Sequence, residues 1–188
     1  TYGIVKNGED TLVLIDDSIV RGTTLKDSII QAVARLRPKK IVIVSSAPQI
    51  RYPDCYGIDM SSMKEFIAFR ALVRLLKESG KSYLLDEVYK KCKAQFGLPD
   101  EKIKNYVKEL YDYFSQKQIS KMIAQLVTPP NLKIEVKVIY QTIEDLHKAC
   151  PNHKGDWYFS GNYPTPGGSR VVNKAFINYM EHKDGRGY

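Results

Sequence analysis

The stretch Thr11–Thr24, TLVLIDDSIVRGTT, decides the fold. Thr11–Ile15 is an apolar run ending in two acids. It is apolar throughout rather than alternating, so it reads as a buried strand of a parallel sheet. Over residues 24–36, Ile29, Ile30, Val33 and Leu36 recur at helical spacing, with Thr23 or Thr24 placed to cap the first turn and Pro38 to stop the helix. Ile41–Ser45 (IVIVS) is a second β-branched run. Strand, helix and strand in this order form a βαβ unit, which implies an α/β fold with a right-handed crossover.

The turn between the first strand and the helix has the composition of a ligand loop. At the carboxyl end of a parallel strand it lies on the sheet's binding edge. The helix that follows directs free N–H groups and its positive dipole end into the loop, which favours a phosphate. Gly22 permits close backbone approach, Ser18, Thr23 and Thr24 carry hydroxyls, and Arg21 carries a cation. Asp16 and Asp17 repel a bare phosphate, but they suit sugar hydroxyls and a hard cation such as Mg²⁺. Acids for a ribose, with amides and hydroxyls for its 5′-phosphate, describe a phosphorylated-ribose site. The pattern G-x-x-x-x-G-K-[ST] of a P-loop is absent. A lone acid pair before a Thr-rich turn would do no more than cap a helix; the preceding strand and the hydroxyl–Gly–hydroxyl turn point instead to a ligand.

Outward from this unit, Ala47–Met60 reads as a loop broken by Pro48, Pro53 and Gly57. A helical region follows with three apolar stripes: Leu85, Val88, Tyr89, Cys92 and Phe96; Ile103, Val107, Leu110 and Phe114; Ile119, Met122, Ile123 and Leu126. Asp100 is placed to cap the second of these helices, and Pro129-Pro130 closes the segment. Ile134, Val136 and Val138 alternate as in a strand, and a short helix is expected over Ile143–Ala149. From Pro151 the chain is rich in Gly, Pro and aromatics, so regular structure is expected only in a short helix around Asn173–Met180. The aromatic residues Trp157, Tyr158, Phe159 and Tyr163 are expected to pack against the body rather than to form a docking surface.

The net charge is +8. Residues 61–128 hold 13 Lys and Arg against 8 Asp and Glu, interspersed as on solvated helix faces. With no Arg-rich run or nucleic-acid motif, an anionic small substrate accounts for the balance better than DNA or RNA. No apolar run is long enough to span a membrane, and no signal peptide opens the chain. Three widely spaced cysteines, Cys55, Cys92 and Cys150, fit a reducing cytoplasm. His147-x-x-Cys150-x-x-His153 is one ligand short of a structural zinc site and reads as a surface loop.

VLIDDSIVRGTT resembles the phosphoribosyl-diphosphate (PRPP) motif of type I phosphoribosyltransferases, in the form found in glutamine PRPP amidotransferases. SSAPQIRYPDCYGIDM, Ser45–Met60, is similar to the same family. The resemblance implies a partial, Rossmann-like phosphoribosyltransferase sheet over residues 1–75. A helical extension over 76–128 follows, then a small α+β segment with an irregular tail over 129–188. It also implies that Asp16 and Asp17 hold the ribose hydroxyls and help to place Mg²⁺. Ser18, Ile19, Val20, Arg21, Gly22, Thr23 and Thr24 then wrap the 5′-phosphate, and Tyr56 and Asp59 stand near the active-site mouth.

In that family ammonia displaces pyrophosphate from PRPP to give phosphoribosylamine, the first committed step of purine synthesis. The ammonia comes from glutamine on a separate N-terminal glutaminase domain. The chain opens on Thr1, with no cysteine beside it and no earlier pyrophosphate or catalytic loop. It is therefore expected to be a cytoplasmic piece of a homo-oligomeric enzyme, inactive alone. No catalytic side chain is identified. Some relatives hold an iron–sulfur cluster partly through a C-terminal CxxC; that pair is absent here, so no cluster is expected. The alternative is a non-catalytic PRPP- or nucleotide-sensing module. An upstream glutaminase domain would favour the enzyme, and an upstream winged helix would favour the sensor.

Overall fold

The computed structural model describes residues 3–54, 60–153 and 155–184. Three strands form a parallel sheet in the order β1 (Thr11–Asp16), β2 (Lys40–Ser45) and β3 (Glu135–Tyr140). In register, Asp16 stands beside Ser45 and Ser45 beside Tyr140, so one row closes the carboxyl ends of all three strands. The third strand comes from beyond the helical region, where the alternation of Val136 and Val138 predicts a strand, and it joins this sheet beside β2. The fold is α/β with a parallel sheet and a largely helical remainder.

β1 departs from the expected buried strand. Val13 and Ile15 are 57% and 78% exposed, while Leu12 and Leu14 face inward. On the inner face Ile41, Ile43, Val138 and Tyr140 are buried. An all-apolar run announces a strand fit for two covers, but the described residues cover one face.

The crossover from β1 begins with a π-helical turn, Leu25–Ile29, that runs into α1 (Ile30–Ala34). Thr24 already has helical φ and ψ and makes no side-chain cap bond, so the expected threonine cap does not form. After β2, a 3-10 turn at Met63–Glu65 leads into α2 (Ile67–Glu78), the most enclosed helix. Its Ile67, Ala68, Phe69, Ala71, Leu72, Val73 and Leu76 are all buried. It stops at Gly80, whose φ of +71° provides the left-handed turn that lets the Lys81 amide reach back to Leu76 O at 2.8 Å.

α3 (Tyr83–Lys93) buries Leu85, Val88 and Cys92 of its predicted stripe, while Phe96 lies beyond its end and is exposed. The second stripe is not one helix. Asp100–Lys102 is a 3-10 turn, Ile103 is extended, and only α4 (Lys108–Tyr111) is helical. Asp100 caps nothing; it pairs with Arg170 instead. α5 (Gln116–Val127) matches its stripe and opens with a capping box between Ser115 and Gln118.

α6 (Ile143–Ala149) falls where expected. Its His147 faces Asp156 at 3.1 Å, and Cys150 is exposed. α7 (Trp157–Ser160) and α8 (Pro166–Met180) give the tail more order than its composition suggests. Pro166 sits in the first turn of α8, where its missing N–H costs nothing. Gly168 is required there, because a Cβ would stand 2.2 Å from the Tyr163 ring.

The aromatic tail packs inward, as expected. Tyr158 O accepts from the amides of Arg51 and Tyr52 at 2.8 and 3.1 Å, and the Tyr163 hydroxyl donates to Pro53 O. On α8, Phe176 is fully buried and meets Phe69 edge-on at 6.1 Å. Phe176→Ala should therefore lower stability by about 3–5 kcal/mol in urea unfolding. A loss below about 1 kcal/mol would mean that α8 is not part of the core.

Candidate functional site: the loop after the first strand

The loop after β1 is fixed by its own backbone before any side chain acts. Asp16 O accepts from the Ser46 amide and Asp17 O from the Ala47 amide, both at 2.9 Å. Ser46 Oγ adds a 3.1 Å bond to Asp16 O. Further along, Val20 O accepts from the Ile67 amide at 2.8 Å. That amide belongs to the first turn of α2, where N–H groups lack intrahelical partners. Ile19 and Leu25 are buried and anchor the two ends of the loop in the core.

Gly22 is the tightest point. Its φ is +73°, and a Cβ there would lie 3.1 Å from Val127 Cγ1 and 3.3 Å from Ile67 Cγ1. The loop thus wedges between the start of α2 and the end of α5. Beyond it, the first intrahelical bond runs from the Lys26 amide to Gly22 O at 3.1 Å. The amides of Thr23, Thr24 and Leu25 lie ahead of that bond, at the end of the helix suited to an anion.

These constraints enclose a cavity of about 390 Å³ lined by Asp16, Ser18, Ile19, Val20, Arg21, Gly22, Thr23 and Thr24, with Leu25, Ile29 and Met60. Of the predicted site residues described, all but Asp17 line it. The Asp17 carboxylate folds back to accept from the Ser18 amide at 2.5 Å, and Asp16 Oδ1 accepts from the Asp17 amide at 3.1 Å. Arg21 donates from Nε and Nη2 to Glu65 Oε2, each at 2.8 Å. That pair is half exposed and contributes little to stability, but it holds the guanidinium against the segment leading into α2. Tyr56 and Asp59 lie outside the described residues.

Met60, at the end of the Ser45–Met60 segment, lines the cavity; sequence reasoning missed the supports Glu65, Ile67 and Val127, which carry no local motif. It also missed Tyr140. This residue closes the row with Ser45 and Asp16, and its buried hydroxyl has no hydrogen-bond partner among the described residues. Burial pushes the phenol's pKa upward, and the Asp16 carboxylate adds to the shift. It therefore stays a neutral donor across the physiological range.

Carboxylate and hydroxyl oxygens around the loop suit a hard cation, so the donor set is compatible with Mg²⁺. Among the described residues, no helix is long and apolar enough to cross a membrane.

No family model matches the chain. Relatives do. Amidophosphoribosyltransferase of Saccharomyces cerevisiae is 43% identical over 176 residues, covering 92% of this chain and 23% of that protein. The enzymes of the same name from Haemophilus influenzae and Escherichia coli are 49% and 48% identical over 61 and 60 residues. Each of these two matches covers 32% of this chain and 12% of the relative. The chain is related to the amidophosphoribosyltransferases. It spans less than a quarter of the length of these relatives. The similarity to the yeast amidophosphoribosyltransferase extends over nearly the whole chain and so takes in residues beyond the loop.

Gly22→Ala should cost about 1–2 kcal/mol from the left-handed backbone alone, with a further loss from the contacts to Val127 and Ile67. Gly97→Ala isolates the backbone part, because Gly97 has a φ of +81° and open space around its missing Cβ. Thermal unfolding should rank Gly22→Ala as the more damaging. Equal losses would show that the wedge gives way freely.

Proposed function

We propose that the chain is the PRPP-binding portion of an amidophosphoribosyltransferase. What carries this reading is the loop of residues 16–24 lining a cavity of about 390 Å³ at the carboxyl ends of parallel strands. The amides of residues 23–25 and the hydroxyls of Ser18, Thr23 and Thr24 receive the 5′-phosphate. Asp16, with Asp17, accepts from the ribose 2′- and 3′-hydroxyls. A carboxylate offers about four lone-pair sites, so Asp17 can keep the Ser18 amide while accepting from a sugar.

In the proposed reaction ammonia, released from glutamine by a glutaminase domain outside this chain, attacks the anomeric carbon. The C–N bond forms as the C–O bond to pyrophosphate breaks, and the leaving group carries away the electron pair. The new ammonium gives up a proton to solvent, and the product is 5-phosphoribosylamine, for purine synthesis in the cytoplasm. Such displacement calls for charge stabilisation around an oxocarbenium-like centre more than for a side-chain nucleophile. Mg²⁺, when bound, supplies neutralisation of the pyrophosphate charge, and Asp16 and Asp17 are the residues proposed to help place it. The loop's part is to fix the ribose end so that the anomeric carbon is presented in one orientation.

The intact protein carrying Asp16→Asn and Asp17→Asn should bind Mg·PRPP at least about tenfold more weakly by calorimetry, as expected for losing charged hydrogen bonds, while its circular dichroism is unchanged. Unaltered affinity would overturn the assignment. The 188-residue chain alone, supplied with PRPP, Mg²⁺ and ammonia, should release no pyrophosphate. Turnover would show that the pyrophosphate-holding groups lie within these residues.

A further inference from the structure

A groove of about 950 Å³ runs along the outer edge of β3, bounded on its other side by α5. All six residues of β3 line it. α5 runs antiparallel to the strand: the Gln116 side chain at its start donates to Gln141 O at 2.9 Å, while Val127 at its end leads into the turn before β3.

The strand edge facing this groove has no backbone partner among the described residues. The Gln141 amide donates to Ser45 O, so residues 135, 137, 139 and 141 address β2, and the N–H and C=O groups of Val136, Val138 and Tyr140 point outward. Six residues make an edge of about 20 Å. Another extended backbone would pair with that row along its length, which is the geometry of strand addition.

The charge of the groove selects the chemistry of that backbone. Lys117 and Lys121, one helical turn apart on α5, and Lys137 on β3 line it. Glu135 is the single carboxylate among its described lining residues, and it is bonded to Lys40 at 2.5 Å. A second copy pairing edge to edge would bring two such lysine sets together in a chain already at +8. We propose that the β3–α5 groove binds an extended acidic segment of a partner protein as an added strand. Its backbone completes the ladder on Val136, Val138 and Tyr140, and the carboxylates on its inner face meet Lys117 and Lys121.

A capped six-residue peptide of alternating glutamate and valine, labelled for fluorescence anisotropy, tests this on the intact protein. N-methylating the peptide amides that face β3 removes ladder bonds without changing charge. It should weaken binding at least about tenfold, as should Lys117→Glu with Lys121→Glu. The peptide should also slow amide hydrogen exchange at Val136 and Val138. Equal binding by the N-methylated peptide would reduce the groove to a non-specific basic surface and overturn the proposal. So would absence of binding up to about 1 mM peptide. Protection of Val138 that grows with protein concentration alone would assign the edge to a second copy instead.

Discussion

The site depends on where the first turn of α2 stands. Ile67 gives its amide to Val20 O and its side chain to the space beside Gly22. Both follow from the burial of α2, whose apolar residues extend around most of its circumference. α5 packs against α2 and supplies Val127 to the other wall of the same wedge. The loop's own apolar anchors are Ile19 and Leu25 at its two ends. Here two buried helices fix it from behind, and its amides and hydroxyls are left for the open side.

The sheet imposes a second constraint. Its inner face packs on α5 and the core, whereas Val13, Ile15 and Ile139 stand exposed on the other. Parallel sheets are stable when covered on both faces, and burial is worth about 25 cal/mol per Å² of apolar surface. The described residues realise that gain on one face. The geometry of the carboxyl-end row nevertheless survives, because backbone pairing from Asp16 through Ser45 to Tyr140 sets it independently of what lies on the outer face.

Much of this architecture was legible because its signals are local. β1, β2, β3, α5 and α6 each carry their own periodicity, and the loop carries its chemistry in consecutive residues. The failures were tertiary. Ile103, Val107, Leu110 and Phe114 have helical spacing, yet Ile103 is extended, because Lys104 is bonded through its backbone N–H and C=O to the Gln95 side chain rather than to a helix. Asn173 on α8 also donates to Lys104 O, at 2.8 Å. α8 begins seven residues before the expected Asn173 because Gly168, unfavourable in an isolated helix, is where the Tyr163 ring requires space. No single-sequence pattern reports a contact between Asn173 and Lys104, or one ring against one missing methyl.

The same division separates the readable and hidden parts of the site. An acid pair followed by hydroxyls and Gly is a local pattern, and the proposed ligand class rests on consecutive residues. The conformations of those acids are set by neighbours. Asp17 turns onto the Ser18 amide at 2.5 Å and leaves the cavity wall, whereas Asp16 stays on it, at the end of the row that Tyr140 closes. Two adjacent carboxylates aimed into one small cavity would repel each other and a phosphate alike. Sending one of them back to its own loop separates the charges without removing either from reach of a sugar. The acids are thus unequal before any ligand arrives: Asp16 is the fixed wall, and Asp17 is the group that stiffens the turn.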